Sequence, residues 1–133
     1  MEKNNKKKVL LIVEDEKILS GTLEERLLTE GFDVLKAFDG GEGLNIALTN
    51  HPDLILLDLL MPKVDGLTMF KKLREDPWGL HAPVIILTNA DSSGKVADAM
   101  TIGHGNTFEY ILKTSLSLDG VVSRIKKRLN ITN

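Results

Sequence analysis

The chain has 133 residues, no cysteine, and 17 lysines and arginines against 19 aspartates and glutamates, for a formal charge of −2. That length is one domain of ordinary size. The slightly acidic balance, with a pI near 5.9, excludes a protein that grips nucleic acid through a basic surface, and the missing thiols exclude a disulfide framework or a cysteine nucleophile. In chain order, residues 1–7 read as a basic, flexible arm carrying Lys3, Lys6 and Lys7, and residues 8–130 as one folded unit. The apolar run after the arm, Val9 to Val13, is too short for a signal peptide or a membrane span, so a soluble, cytoplasmic protein without membrane contact is expected. Val9 to Val13 is instead a first strand ending at Glu14-Asp15. Ile18, Leu19, Leu23, Leu27 and Leu28 recur at helical spacing until Gly31 stops them. Asp33 to Ala37 is a short second strand, and Leu44, Ala47 and Leu48 mark a helix ending near Asn50, before Pro52.

Leu54 to Leu57 is a third strand that ends at Asp58. Met61 to Gly66 is a turn, and Leu67, Phe70 and Leu73 mark a helix that Asp65 can cap. Asp76-Pro77-Trp78-Gly79 breaks that helix, with Trp78 expected to cover the core. Val84 to Leu87 is a fourth strand ending at Thr88. A weaker helix follows, with Val96, Ala97 and Met100 on its predicted inner face. Phe108 to Lys113 is the fifth strand, and Val121, Val122, Ile125 and Leu129 define a last amphipathic helix whose outer face carries Arg124, Lys126, Lys127 and Arg128. His51, His81 and His104 are scattered, without the spacing of a metal site. Strict strand–helix alternation predicts an α/β fold, a parallel sheet with helices on both faces.

The chemistry follows from where the apolar runs stop. Parallel strands deliver their carboxyl-terminal residues to one end of the sheet, where α/β folds build their sites. Here that end receives an acid pair, Glu14 and Asp15, a lone acid, Asp58, a hydroxyl, Thr88, and an amine, Lys113. Carboxylates suit a divalent cation, and a hydroxyl and an ammonium suit phosphoryl oxygens.

In this order and spacing, together with Leu59-Leu60-Met61-Pro62 and Asp65-Gly66 after Asp58 and Tyr110 three places before Lys113, the residues resemble a response-regulator receiver domain of two-component phosphorelay signalling. The resemblance runs from about Lys8 to about Leu129 and implies a flavodoxin-like (βα)5 three-layer sandwich with five strands in the order 2-1-3-4-5. It further implies Asp58 as phosphoacceptor and Mg²⁺ held by Glu14, Asp15, Asp58 and the backbone carbonyl of Leu60. Thr88 and Lys113 are implied as phosphoryl-binding residues, and Tyr110 as the aromatic that switches with Thr88. The implied partners are a histidine kinase or histidine phosphotransfer protein and a downstream protein target the residues do not name, with no direct nucleic-acid contact. The protein would be a monomer or a phosphorylation-dependent dimer. Such a domain phosphorylates itself from its donor and slowly loses the group; it is not a turnover enzyme.

Three departures from the family pattern stand out. Thr114 follows Lys113 where receivers usually have proline, so a trans peptide is expected there. Asn89 follows Thr88 in place of a small residue, and Gly103 to Thr107 replace a glycine-alanine pair. Leu60 and Ala90 cannot orient a hydrolytic water, which predicts a long-lived phosphoryl group. The alternative is a receiver-like interaction module that no longer switches by phosphorylation. A phosphatase or flavin protein on the same fold lacks its signatures: no aspartate stands two places after Asp58, and no long phosphate-cradling loop follows the first strand.

Overall fold

The computed structural model describes residues 7–59, 61, 64–89, 93–102 and 108–131. Five strands, β1 (Val9–Val13), β2 (Asp33–Ala37), β3 (Leu54–Asp58), β4 (Val84–Thr88) and β5 (Phe108–Leu112), alternate with five helices, α1 (Lys17–Thr29), α2 (Gly40–Asn50), α3 (Gly66–Arg74), α4 (Ser93–Ile102) and α5 (Leu118–Arg128). The strands form one sheet in the order 2-1-3-4-5, the order the resemblance implies. Every pair is parallel, so all five carboxyl ends lie on one side.

The central strands are covered on both faces and are therefore apolar throughout rather than alternating. Side chains nonetheless alternate between two cores. Leu11, Val13, Ile55 and Leu57 pack with Ala47, Met69, Phe70 and Leu73, the side of α2 and α3, whereas Leu10, Ile12, Leu54 and Leu56 pack with Leu23, Leu27, Val121 and Ile125, the side of α1 and α5. Asp65 caps α3 as expected, its carboxylate accepting from the Thr68 N–H at 2.9 Å. Asp39 likewise caps α2, accepting from the Glu42 N–H at 2.9 Å, while the Glu42 carboxylate reaches back to the Phe38 N–H at 2.8 Å.

Two helix faces differ from expectation. On α1 the buried residues are Ser20, Leu23 and Leu27, while Ile18 is 83% and Leu28 51% exposed. Apolar identity at helical spacing there overstates the width of the inner stripe. On α4 the inner residue is Ala99, with Val96 and Ile102 packed beside it, while Ala97 and Met100 face outward. Val96 keeps its inward place, and Ala99 and Ile102 complete the face in place of Ala97 and Met100. Trp78 packs on the core as expected and is stacked on His51, with ring centroids 4.3 Å apart. Both lie at the amino-terminal end of β3 and β4. Arg74 is buried, donating from Nη1 to the carbonyls of Gly79 at 2.6 Å and Ala82 at 2.9 Å and lying over the Phe70 ring. It ties α3 to the loop before β4.

Ser20 is fully buried, and its hydroxyl has no hydrogen-bond partner among the described residues. A buried hydroxyl without a partner costs the desolvation it never recovers. Ser20→Ala is therefore expected to stabilise the chain by about 1 kcal/mol, read as a raised urea midpoint at unchanged slope; a lowered midpoint would contradict it.

Candidate functional site

The site assembles where β1 and β3 end side by side. Val13 is in register with Leu57, so the next residues, Glu14 and Asp58, are neighbours across the two central strands. The Glu14 N–H donates to the Ala37 carbonyl at 3.1 Å, which extends the pairing with β2 one residue beyond β1. Asp58 is in register with Leu87, which puts Thr88 one place further on the neighbouring strand. Side-chain donor atoms of Glu14, Asp15 and Asp58 all lie within 4.8 Å of one another. Glu14 is fully buried, Asp58 is 2% exposed, and Asp15 is half-buried.

Lys113 enters from the first residue of a 3-10 turn, Lys113–Ser115, directly after β5. Its ammonium donates to Asp58 Oδ2 at 3.2 Å and to Glu14 Oε2 at 3.3 Å. Glu14 Oε1 is nearer, at 3.0 Å, but lies outside hydrogen-bonding direction and has no hydrogen-bond partner among the described residues. Oε2 also accepts from the Glu16 N–H at 3.0 Å. The Lys113–Thr114 peptide is trans, since no cis bond occurs among the described residues.

Three carboxyls beside one ammonium cannot all ionise at ordinary cost. Burial first, and then the charge of Asp58, push the Glu14 carboxyl up to about 7 against the opposing pull of Glu16 N–H and Lys113. For Lys113, burial works against the charge, but hydrogen bonds and attraction from Glu14 and Asp58 outweigh it and hold its pKa above the usual value. Lys113 thus stays charged, while the Glu14 carboxyl is the easier to protonate for being buried beside Asp58. A buried carboxylate oxygen without a hydrogen bond, among three clustered acids, is the donor set of a hard divalent cation.

Thr88 is buried, its hydroxyl donating to the Asn89 carbonyl at 3.2 Å. Behind it Thr88, Val96, Met100, Tyr110 and Leu112 help line a cavity of about 290 Å³. Tyr110 is outside the acid cluster and 47% exposed, on the surface between α4 and β5. Leu60 and Ala90 lie outside the described residues, as do His104 and the segment 103–107.

Sequence reasoning gave Lys113 a phosphoryl-binding role and overlooked its contact with Glu14. It also overlooked the latch between Gly40 N–H and the Val64 carbonyl, 2.7 Å, which fastens α2 to the turn after Asp58. The cap of α2 went unread although Asp39 with Glu42 three places on is a local signal for it; the latch has no local signature.

The family model described as the response regulator receiver domain matches residues 10–126. The chain belongs to the response regulator receiver domain family. Among its relatives is the transcriptional regulatory protein DltR of Streptococcus agalactiae serotype III (strain NEM316), 37% identical over 119 residues that make up 90% of this chain and 50% of DltR. Another is the DNA-binding dual master transcriptional regulator RpaA of Synechocystis sp. (strain ATCC 27184 / PCC 6803 / Kazusa), 32% identical over 93% of this chain and 50% of RpaA. The receiver domain of the Francisella response regulator 1452 superposes with a TM-score of 0.79 at 29% identity, covering 92% of this chain and 97% of that one. The chain spans about half the length of the two regulators. Receiver domains are signalling domains, not turnover enzymes, and interact with histidine kinases or phosphotransfer proteins. Among the described residues no helix is long and apolar enough to cross a membrane.

Proposed function

We propose that residues 8–130 act as a phosphorylation-dependent receiver in which Asp58 takes a phosphoryl group from a histidine kinase or histidine phosphotransfer protein. The observation that carries this reading is the Asp58 carboxylate, at the end of a central strand, held 3.2 Å from the Lys113 ammonium inside the acid cluster. One oxygen of Asp58 forms the bond to phosphorus as the bond to the donor's imidazole nitrogen breaks, and the imidazole leaves with the electron pair. Asp15 and Asp58, with Glu14 and the Leu60 carbonyl, would hold Mg²⁺, which supplies positive charge to an otherwise anionic pocket. Lys113 then moves its ion pair from the carboxylate to the new phosphoryl oxygens, and Thr88 turns its hydroxyl from the Asn89 carbonyl to the same group.

Turning Thr88 opens the space behind it. The cavity of about 290 Å³ accepts the Tyr110 ring, and the surface formed by α4, β5 and α5 changes shape as the inward population grows. That surface serves a downstream protein.

Incubation with acetyl phosphate and Mg²⁺, followed by intact mass measurement, tests the reading. The parent chain is expected to gain one phosphoryl group and Asp58→Asn none. A gain that persists in Asp58→Asn would refute the assignment, and no gain in the parent would favour the interaction-only module. Calorimetry is the probe for Mg²⁺ in Asp15→Ala, because Trp78 lies at the far end of the sheet; an unchanged affinity would remove Asp15 from the metal set.

A further inference from the structure

The backbone brings Lys113 to the end of β5, next to Leu112 in register with Thr88, but does not fix its side chain. Its 3-10 turn closes on a Leu116 N–H to Lys113 carbonyl bond of 3.3 Å, and the next two residues, Thr114 and Ser115, are exposed. A lysine side chain has four rotatable bonds, and holding it in one geometry costs rotamer entropy. Something rigid must offset that. Glu14 is rigid: it is fully buried, its N–H is fixed to Ala37, and its Oε2 is fixed by the Glu16 N–H. Its two carboxylate oxygens stand 3.0 and 3.3 Å from the Lys113 ammonium, which also contacts Asp58 at 3.2 Å.

We propose that Glu14 is the positioning residue for Lys113: the length of its side chain carries a fixed carboxylate to the ammonium and so sets the direction from which Lys113 meets Asp58. This rests on the reading of Asp58 as phosphoacceptor, which gives Lys113 its task. An aspartate in this place would draw the carboxylate back by one C–C bond, about 1.5 Å, and leave the ammonium beyond ion-pairing reach. The length matters to Lys113, whereas the charge matters to a metal. The two roles can therefore be separated by two substitutions.

Glu14→Asp keeps the charge and gives up the length; Glu14→Gln keeps the length and an acceptor oxygen and gives up the charge. Two measurements on the unphosphorylated chain read them: solvent exchange of the Lys113 ammonium protons by NMR, assigned with Lys113→Arg, and Mg²⁺ affinity by calorimetry. Glu14→Asp should speed exchange at least about tenfold and hold Mg²⁺ within about threefold, while Glu14→Gln should hold exchange within about threefold and weaken Mg²⁺ about tenfold. The order of the variants reverses between the two readouts. At saturating Mg²⁺, Glu14→Asp should still slow uptake from acetyl phosphate about tenfold, and should add nothing in a Lys113→Ala background. Unchanged exchange in Glu14→Asp, exchange equally fast in both variants, or a rate defect cured by Mg²⁺ would overturn the proposal. A parent chain that takes up no phosphoryl group would instead refute the reading of Asp58, while exchange and Mg²⁺ affinity still judge Glu14.

Discussion

In buffer free of divalent cations the protein is expected to lose stability as the pH rises from 4.5 to about 7, by up to about 3.5 kcal/mol. Glu14 carries this effect. Its carboxyl titrates at 4.5 in the unfolded reference and at about 7 in the fold, where burial and then Asp58 disfavour its charge. Between those values the folded chain holds a proton that the unfolded chain has released. Stability therefore falls with rising pH across that window and levels off above it. At about 1.4 kcal/mol per pH unit, the rise from 4.5 to about 7 gives the quoted ceiling. Other groups act elsewhere on the scale. Lys113 is raised, so its contribution is present below its unfolded value and lost only in strong base. Glu30, lowered by its hydrogen bonds to Lys126 and Arg26, contributes above its unfolded value of 4.5 and loses that in acid. Urea midpoints measured along the pH series should slope downward in the parent, flatten in Glu14→Gln, and flatten in the parent on adding Mg²⁺. A parent slope that rises, or that survives Glu14→Gln, contradicts this account of the cluster.

Gly66→Ala is expected to cost at least about 3 kcal/mol and to abolish phosphoryl uptake. The turn after Asp58 folds back so tightly that a Cβ on Gly66 would collide with the Asp58 carbonyl and stand 2.7 Å from Leu59 Cα. The Gly66 N–H also closes the turn by donating to the Leu59 carbonyl at 3.1 Å. Backbone cannot give way as a flexible side chain can, so the turn must open and carry the end of β3 with it. The contrast is Gly21, inside α1, where an added Cβ meets nothing within 4 Å. Gly21→Ala should stabilise by about 0.5–1 kcal/mol. Equal effects from the two substitutions would show that helix propensity, and not the approach to Asp58, decides the outcome at Gly66.

The fold was legible because its signals are local and repeated. Apolar runs such as Val84 to Leu87 are too short for helices and are bounded by turn residues, and the alternation with helical spacing leaves few topologies. Polar residues at the ends of those runs also announced the cluster: Glu14, Asp15, Asp58 and Lys113 meet as their order implies. Helix rotation was less legible. Ile18, Leu28 and Met100 are apolar yet exposed, and a short helix does not need all its apolar residues to fill its inner stripe. Least legible were contacts between distant segments. Nothing near Gly40 in sequence names Val64 as its partner, and nothing near Glu14 says that its extra methylene reaches Lys113, 99 positions away. Such pairings are set by strand order and register, which exist only once the sheet is built.

Chemical trapping of the acyl phosphate tests the central claim most directly. The chain, phosphorylated from acetyl phosphate with Mg²⁺, is treated with borohydride, which reduces an aspartyl phosphate to homoserine with loss of phosphate and leaves free carboxylates untouched. Peptide mapping should then find homoserine at position 58 and aspartate at every other aspartate position, including 15, 53 and 65. Homoserine at one of those other positions, or a retained phosphoryl group that borohydride does not remove, would contradict Asp58 as the acceptor and with it the function proposed for this site.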